Sequence, residues 1–577
     1  MRLPRWLVIA LSIWRSSAFA SLRNHDTHVY FSLHLEPAIS PHEVAESIGA
    51  SLEGATGQLP DHYTFSTSKE DATRLEQYLK DLRRRRRKRG TQESTGVLWF
   101  HKQSLRPRLV KRTIPPNPIR QISDPAEPPA PAAPDAAAVQ ALDDIAETLE
   151  ISDPIFKEQW HLFNTVQLGH DLNVTGVWSQ GITGKGTITS VIDDGLDMYS
   201  DDLKDNYFAE GSYDYNDPGP EPKPRLFDDK HGTRCAGEIA AGRNNVCGLG
   251  MAYDGKVSGI RILSKPIDDE DEATAINYGF QQNQIYSCSW GPPDDGQTMD
   301  APNTLIRRAM VNGIQNGRGG LGSIFVFAAG NGAHAGDNCN FDGYTNSIYS
   351  ITVGAIDRKG NHPYYSEPCS AQLVVTYSSG GADAIHTTDV GVNKCYDGHG
   401  GTSAAGPLVA GSVALALGVR PDLNWRDLQY LCIEAAIPIH LDDGEWQDTK
   451  IGKKFSHVYG YGKIDTWRLI EATKTFKSLK AQAWYHSPWL SVQHDIPQGD
   501  KGLASSFEIT QDILSSANLE KIEHVTVTMN IEHTRRGDLS VELRSPDGLV
   551  SHLSTMRRND AAQKGYVDWT FMSVVHW

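Results

Sequence analysis

Two apolar runs, each ending at an acidic or amide residue beside glycine, constrain the fold of this chain most. Residues 323–329 are a nearly continuous apolar run that ends just before Asn331, and the β-rich run 186–192 ends at Asp193. Strands of this kind are buried on both faces, which is typical of a parallel sheet with helices on each side. Sites in such sheets form beyond the carboxyl ends of the strands. We therefore predict an α/β domain whose site includes Asp193 and Asn331.

A serine follows a glycine-rich turn and precedes an apolar segment of helical character. Ser403 lies within Gly-His-Gly-Gly-Thr-Ser-Ala-Ala-Gly-Pro, and residues 408–417 are apolar. This arrangement places a hydroxyl at a helix N-terminus, where backbone N–H groups stabilise a developing oxyanion. On this stretch alone, a turn before a core helix is an equally good interpretation, and Ala405 departs from the G-x-S-x-G nucleophile pattern.

Three candidate catalytic residues occur in the order Asp193, His231, Ser403. This is the chain order of subtilisin-type serine proteases, and other serine hydrolases use different orders. Ser403 would attack the carbonyl, His231 would take and return its proton, and Asp193 would hold the histidine tautomer. Asn331 would donate its amide to the oxyanion beside the Ser403 N–H.

The N-terminus has the features of a secretory signal. Arg2 and Arg5 precede an apolar run, and residues 18–20 offer a small-residue cleavage site, so 1–20 is the predicted signal peptide. No later segment offers about 20 uninterrupted apolar residues, so no transmembrane segment is expected. Asn173 opens an Asn-Val-Thr glycosylation acceptor, which agrees with a secretory route.

The net charge of −16 combines a basic front segment with a strongly acidic body. Residues 21–112 carry 16 Lys and Arg against 11 Asp and Glu, including the run 83–89 and the pair Lys111-Arg112. An acidic body favours a basic partner or substrate and makes nucleic acid an unsuitable ligand. From Thr113 to about residue 138 the chain is rich in proline and alanine, which predicts an extended linker.

After about residue 478 the pattern changes to short alternating segments. Residues 523–531 and 539–543 alternate apolar and polar side chains, with turn signals such as Ser-Pro-Asp-Gly between them. This pattern predicts a β-sandwich module.

Four motifs together resemble the kexin branch of the furin-like proprotein convertases. They are Val-Ile-Asp-Asp-Gly at 191–195, His-Gly-Thr-Arg-Cys-Ala-Gly-Glu at 231–238, Ser-Cys-Ser-Trp-Gly-Pro at 287–292 and Gly-Gly-Thr-Ser-Ala-Ala at 400–405. The resemblance implies a calcium-dependent endoprotease that cuts secretory precursors after paired basic residues, Lys-Arg or Arg-Arg. It also implies a subtilisin-like α/β domain at 151–478, preceded by a propeptide (21–112) and a linker (113–150), and followed by an incomplete P domain (479–577).

The resemblance assigns acids to the substrate cleft. Asp294 and Asp342 match acids that hold the residue before the cut, and Asp194 matches the acid that holds the next residue upstream. Glu272 and Asp300 match acids that contact residues further upstream. These carboxylates suit arginine, whose guanidinium enters a desolvated pocket when carboxylates meet it.

Calcium is the cofactor that the resemblance implies, and it favours several oxygen ligands. One implied site takes Asp153, Asp202 and Asn245, and a second takes Asp294, Asp337 and Glu367. The resemblance also implies the disulfides Cys247–Cys395 and Cys339–Cys369, which leaves Cys235, Cys288 and Cys432 as free thiols.

The front segment is then expected to be an intramolecular chaperone and inhibitor, cut after Arg112 and a second time after Arg89. The expected partners are this propeptide and precursors with dibasic sites, the expected state is a monomer, and the expected location is the secretory lumen, in the late Golgi. Two other interpretations stay open: a broad-specificity secreted subtilisin, and a truncated, inactive member that acts as a binding or chaperone protein.

Overall fold

The computed structural model of the protein describes residues 23–89, 96–106, 109–115, 133–442, 445–499 and 501–577. The predicted signal peptide, residues 1–20, lies outside the described residues.

The N-terminal domain is a four-stranded antiparallel sheet with two helices. The elements are β1 (His28–Leu35), α1 (Pro41–Ile48), β2 (Ser51–Ala55), β3 (His62–Ser68), α2 (Lys69–Arg89) and β4 (Val97–Lys102). The strand order is β2-β3-β1-β4, and the core contains Phe31, Leu33, Phe65 and Leu79. Alternating apolar residues on β1 place one side of that strand in this core.

A seven-stranded sheet forms the centre of the catalytic domain and confirms the predicted α/β fold. Its pairings are all parallel, and the buried runs predicted from the sequence are its inner strands. The strands are β6 (Ile188–Asp193), β7 (Tyr213–Asp214), β8 (Lys256–Arg261), β9 (Ile285–Cys288), β11 (Ile324–Ala328), β12 (Ser350–Ile356) and β13 (Val374–Tyr377). Their order in the sheet is β13-β12-β11-β9-β6-β8-β7.

Helices cover this sheet, and three short antiparallel strand pairs lie outside it. The helices are α4 (Thr175–Ser179), α5 (His231–Ala240), α6 (Asp269–Ala275), α7 (Thr304–Asn316), α8 (Thr402–Val419), α9 (Trp425–Ala435) and α10 (Thr466–Thr475). The short strands are β5 (Val110–Lys111) with β10 (Trp290–Gly291), β14 (Ile385–Thr388) with β15 (Cys395–His399), and β16 (Gln447–Asp448) with β17 (Lys454–Phe455).

Helix α8 carries Ser403 and is the central helix of the core. Among the described residues it alone is long and apolar enough to cross a membrane, and 89% of that stretch is buried inside the protein. Burial in the protein core accounts for its apolar composition, because a helix that is apolar all round must avoid water.

The predicted linker, 113–150, is wrong in its last part. Residues Ala136–Thr148 form helix α3, whose first turn is capped by the side chain of Asp135. Leu142 is 3% exposed and belongs to the core of the catalytic domain, with Ile145 and Leu149 packed against the same core. An aspartate cap and good helix formers outweigh the proline-rich start of this region.

The C-terminal module, residues 522–577, contains two antiparallel strand pairs. Strand β18 (Val525–Ile531) pairs with β21 (Tyr566–Ser573), and β19 (Val541–Arg544) pairs with β20 (Val550–Ser554). Its small core of Leu539, Leu553, Tyr566 and Phe571 includes Phe341 of the catalytic domain. Between α10 and this module the described chain has one short helix, α11 (Gln511–Ser516).

Candidate active site

Asp193 and His231 lie side by side at the carboxyl edge of the sheet. Asp193 is the last residue of β6, and His231 is the first residue of α5. Both carboxylate oxygens of Asp193 lie 2.9 Å from His231 Nδ1, and both side chains are buried. This contact fixes the imidazole orientation and leaves Nε2 as the atom that faces the reaction.

Ser403 is the second residue of α8, and it completes the group that the sequence predicts. Its Oγ donates a hydrogen bond of 3.2 Å to the Ser289 carbonyl, while His231 Nε2 is buried without a hydrogen-bond partner among the described residues. The structure therefore holds the Asp193–His231 contact and leaves the Ser403–His231 contact unmade. Rotation of the serine hydroxyl away from Ser289 is needed to complete it.

Residues 109–115, hereafter the cleft segment, cross this site as an extended strand. Strand β5 pairs antiparallel with β10, and the Arg112 N–H donates to the Ser289 carbonyl at 3.1 Å. The Ser403 N–H donates to the Arg112 carbonyl at 3.4 Å. The peptide bond beside the nucleophile is therefore the one that joins Arg112 to Thr113.

Asn331 reaches the cleft segment one carbonyl further along than predicted. Its Nδ2 donates to the Thr113 carbonyl at 2.9 Å, and its Oδ1 accepts from the N–H of Thr402 at 2.9 Å. The second contact fixes the amide so that its donor side faces the cleft. A small displacement of the chain would bring that donor to the Arg112 carbonyl, where charge develops during acyl transfer.

The glycines around Ser403 let the peptide backbone approach closely. Gly401 has φ +78°, and a Cβ there would lie 2.2 Å from the Arg112 carbonyl oxygen. Gly291 is similar, since a Cβ there would lie 2.3 Å from the Arg112 guanidinium. Any side chain at these two positions would displace the residue before the cut.

Arg112 fills a closed pocket below the cleft. Its guanidinium donates to the Asp342 carboxylate and to the Ala328 carbonyl, and Nε lies 3.7 Å from Asp294. The side chain is 1% exposed. Burial alone would lower the pKa of Arg112, but Asp294 and Asp342 together raise that pKa above its ordinary value. The pocket thus holds a charged arginine.

Lys111 points to the opposite wall of the cleft. Its Nζ lies 2.6 Å from Asp194 Oδ2, donates to the Asp228 carbonyl at 2.9 Å, and lies 3.8 Å from the exposed Asp228 carboxylate. Asp194 is fully buried and also accepts the backbone N–H groups of His231 and Gly232. Burial and the adjacent Asp193 raise the pKa of Asp194, while the Lys111 ammonium opposes that rise.

The two acids predicted for upstream residues have different surroundings. Glu272 lies 3.9 Å from Arg106, whose Nε contacts Asp269 at 2.6 Å, and burial raises the pKa of Glu272 to about 7. Asp300 is exposed and makes no hydrogen bond or ion pair with the described part of the N-terminal domain. Its backbone pairs with the segment around Phe341 and its side chain accepts the Ala301 N–H, and its predicted contact with upstream substrate residues stays a prediction.

Three carboxylates cluster beneath the arginine pocket. Asp337 and Glu367 are buried and Asp294 is half-buried. Burial raises the pKa of all three, and neighbouring carboxylates raise the pKa values of Asp294 and Glu367 further. Glu367 accepts the Gly332 N–H and Asp294 accepts the Asn331 N–H. Three neighbouring carboxylates of low exposure form a donor set that suits a divalent cation, because charge of one sign is costly to bury unpaired.

A pair of acids, Asp153 and Asp202, lies near the C-terminal end of α5. Burial raises the pKa values of Asp153 and Asp202 to about 7 each, and the Asn244 amide donates to Asp202 at 3.3 Å. The predicted ligand Asn245 is exposed, and the half-buried Asn244 is the amide that lies beside the two acids. The Asn244 backbone N–H bonds the Asp153 carboxylate at 3.1 Å, and its Oδ1 accepts the Val246 N–H. Two buried carboxylates beside an amide also fit a cation site.

Two disulfides join the segments that flank these sites. Cys247 is bonded to Cys395 and Cys339 to Cys369, while Cys235, Cys288 and Cys432 are free and buried. Cys235 Sγ lies 3.9 Å from His231 Nδ1, and burial raises the pKa of this thiol well above its ordinary value.

Known proteins resemble this chain in sequence. Residues 184–462 match the Subtilase family, and residues 522–577 match the proprotein convertase P-domain. The chain is 44% identical over 570 residues to Protease KEX1 of Kluyveromyces lactis, covering 99% of this chain and 71% of that protein. Kexin of Candida albicans is 52% identical over 454 residues, covering 76% of this chain and 48% of that protein. The chain belongs to the kexin family of subtilisin-like serine endopeptidases.

A solved structure supports the fold of this kexin-family chain. The serine protease of Aeromonas sobria matches with a TM-score of 0.66 at 23% identity, covering 74% of this chain and 86% of that one. The chain spans about half the length of Candida albicans kexin.

Sequence motifs missed the backbone groups of the kexin-family cleft. The carbonyls of Ser289 and Ala328 receive the Arg112 N–H and guanidinium, and any residue type could supply them. The Tyr344 hydroxyl, which donates to Glu272, was also missed, although it follows Asp342 by two residues.

Replacing Asn331 by alanine should lower kcat by about 10²–10³, because we expect its amide donor to move from the Thr113 carbonyl to the developing oxyanion at Arg112 during the reaction. KM should change little, since the other backbone contacts of the substrate persist. Steady-state cleavage of a Lys-Arg peptide measures both constants. An Asn338→Ala variant, altered at a nearby loop amide that does not touch the cleft segment, serves as the control. Equal kcat in the Asn331 variant and the unsubstituted protein would contradict the assignment.

Proposed function

We propose that this chain is a calcium-dependent endoprotease that cuts secretory precursors after paired basic residues. The observation that carries the proposal is the closed pocket around Arg112, in which Asp342 and Asp294 meet the guanidinium. Beside it, Asp194 meets the ammonium of Lys111. An apolar pocket, as expected for a broad-specificity subtilisin, would not accept either charge.

The proposal assigns the N-terminal domain the role of propeptide. The cleft segment occupies the site in the orientation of a substrate, with Arg112 before the cut and Thr113 after it. The domain is also held by ion pairs, since Arg23 contacts Asp268, Glu270 and Asp271 on the acidic end of α6 at 2.7–3.0 Å. Self-cleavage after Arg112, a second cut after Arg89, a monomeric state and a late-Golgi location belong to this proposal. The kexin-type relatives motivate the location.

Peptides that differ only in the two residues before the cut test the specificity. Peptides ending in Lys-Arg, Ala-Arg and Ala-Phe before an identical leaving group should be cut in that order of kcat/KM. Losing the lysine removes the Asp194 ion pair, and losing the arginine leaves the pocket carboxylates unpaired. Cutting of Ala-Phe as fast as Lys-Arg would refute the proposal.

Calcium completes the proposal. When bound, the ion supplies positive charge that offsets the buried carboxylates of Asp153 and Asp202 and of the cluster beneath the pocket. These residues form the two proposed sites, with Asn244 beside the first.

Removal of calcium with a chelator should inactivate the protein and lower its thermal midpoint, because the buried carboxylates then repel one another without a counter-ion. Re-addition of calcium should restore both properties, and magnesium should restore them poorly because it requires tighter octahedral geometry. Thermal unfolding gives a readout independent of activity. A matched Asp202→Asn variant should require more calcium for the same midpoint, whereas an Asp201→Asn variant at the neighbouring surface position should not. A midpoint that is insensitive to chelation would contradict calcium binding.

A further inference from the structure

One arginine of the C-terminal module extends into the catalytic domain beneath the pocket. Arg557 follows β20 and is completely buried. Its Nη1 donates to Asp337 Oδ1 at 3.0 Å and to the Thr298 carbonyl at 2.7 Å. Its Nη2 donates to the Gln297 carbonyl at 3.2 Å and to Asp560 of its own module. This single side chain therefore joins the two parts of the molecule through charged hydrogen bonds.

Arg557 contacts residues that adjoin both of the acids that hold Arg112. Asp337, its partner, accepts the Gly296 N–H at 2.8 Å and so fixes the turn that follows Asp294. The guanidinium also lies 3.7 Å from the ring centre of Phe341, the residue before Asp342. Arg557 therefore supports Asp294 through Asp337 and Asp342 through Phe341.

The contact between Arg557 and Asp337 is a buried ion pair as well as a packing contact. Asp294, Asp337 and Glu367 are neighbouring carboxylates, and Arg112 of the cleft segment lies beside the first of them, with Nε 3.7 Å from Asp294. The arginine before the cut leaves with every product, whereas Arg557 stays. A calcium ion bound at this cluster would offset charge there, but it would not replace the hydrogen bond by which Arg557 holds Asp337, so loss of Arg557 releases Asp337 from its position.

We propose that Arg557 is a positioning residue for the arginine pocket, through which the C-terminal module sets the preference for arginine before the cut. This inference rests on the proposed function, because it requires that the pocket of Asp294 and Asp342 receives the arginine of the substrate. Arg557 touches neither substrate nor nucleophile among the described contacts; it acts through Asp337 and Phe341.

Arg536 provides a matched control. It crosses the same boundary, with Nε 2.6 Å from Asp560 and Nη2 2.7 Å from the Gln297 carbonyl. Its partners overlap with those of Arg557, but it contacts neither Asp337 nor Phe341. Loss of Arg536 therefore weakens the boundary without releasing the pocket.

The test compares Arg557→Gln, Arg557→Lys and Arg536→Gln in the whole chain. Each is assayed with calcium on peptides ending in Lys-Arg or Lys-Lys before the same leaving group, and the thermal midpoint is measured alongside. Arg557→Gln should raise KM for the Lys-Arg peptide and reduce its kcat/KM advantage over Lys-Lys by about tenfold. Arg557→Lys keeps the charge but loses the forked geometry, so it should recover part of the preference. Arg536→Gln should lower the midpoint and leave the preference unchanged.

The outcomes separate the inference from the proposed function. An unsubstituted chain that cuts neither the Lys-Arg nor the Lys-Lys peptide would refute the proposed function and the inference with it. Equal cutting of both peptides by the unsubstituted chain would overturn the inference and leave cleavage after paired basic residues standing. An unsubstituted chain that prefers arginine, together with an unchanged preference in Arg557→Gln, would overturn the inference alone. If Arg557→Gln fails to fold, the Arg557→Lys variant decides. An unchanged arginine preference and an unchanged KM in Arg557→Lys would overturn the inference. A reduced preference in Arg557→Lys, with the preference of Arg536→Gln unchanged, would support it.

Discussion

A Ser403→Ala chain should remain joined at Arg112–Thr113, with its peptidase activity reduced by about 10⁶-fold. The hydroxyl is the attacking atom, and removal of the nucleophile from a serine protease triad costs about that factor in kcat. The bond that it would cut already lies beside it, since the Ser403 N–H contacts the Arg112 carbonyl at 3.4 Å. Intact mass and N-terminal sequencing measure the outcome, because maturation by the unsubstituted chain should yield a new terminus at Thr113.

Ser412→Ala is the control for this prediction. Ser412 is on the same helix, is buried, and donates to the Leu408 carbonyl far from the cleft. A chain with this substitution should mature as the unsubstituted one does. Appearance of the Thr113 terminus in purified Ser403→Ala protein, without any other protease, would contradict self-cleavage.

Replacing Asp342 by asparagine should reduce kcat/KM for a Lys-Arg peptide by roughly 30- to 5,000-fold. The substitution leaves a buried guanidinium without its nearest carboxylate, and truncating one partner of such a pair costs about 2–5 kcal/mol. Cleavage after Ala-Phe should not fall in proportion, because that substrate brings no charge into the pocket. The measured quantity is the ratio of the two kcat/KM values. A ratio equal to that of the unsubstituted protein would contradict the role of Asp342.

Asp194 and Asp228 allow a controlled test of how the lysine before the arginine is recognised. Both carboxylates approach Lys111 Nζ, but Asp194 is buried at 2.6 Å whereas Asp228 is 59% exposed at 3.8 Å. Asp194→Asn should remove most of the advantage of Lys-Arg over Ala-Arg peptides. Asp228→Asn should change it little, since exposed ion pairs contribute about 0–1 kcal/mol.

Local sequence patterns were sufficient for the sheet and for the chain order of the candidate catalytic residues. The buried strands have no polar alternation, and the strand ends that follow them carry Asp193 and Asn331, which the structure brings to one edge of the sheet. These sequence signals are local, because a strand that is buried on both faces is recognised from a few consecutive apolar residues. Helix α3 shows the opposite case, because its local signal, the Asp135 cap, lies next to a proline-rich stretch that favours an extended linker.

Long-range contacts could not be predicted from one sequence. The Arg557–Asp337 pair joins residues 220 positions apart. No local pattern marks Arg557 among the other arginines of its module. Which of the adjacent amides Asn244 and Asn245 lies beside the Asp202 carboxylate depends on the path of a single turn, and a one-residue shift would exchange them.

The long helix α2 has a consequence for timing. The cleft accepts its segment as an extended strand paired with β10, yet residues up to Arg89 are helical, since α2 runs from Lys69 to Arg89. On the proposed self-processing, the bond after Arg89 could enter the cleft only after the last turn of this helix unwinds, whereas the bond after Arg112 already lies in the cleft. The first cut would then need only local adjustment of side chains and backbone at the site, and the second would require the end of a helix to open first.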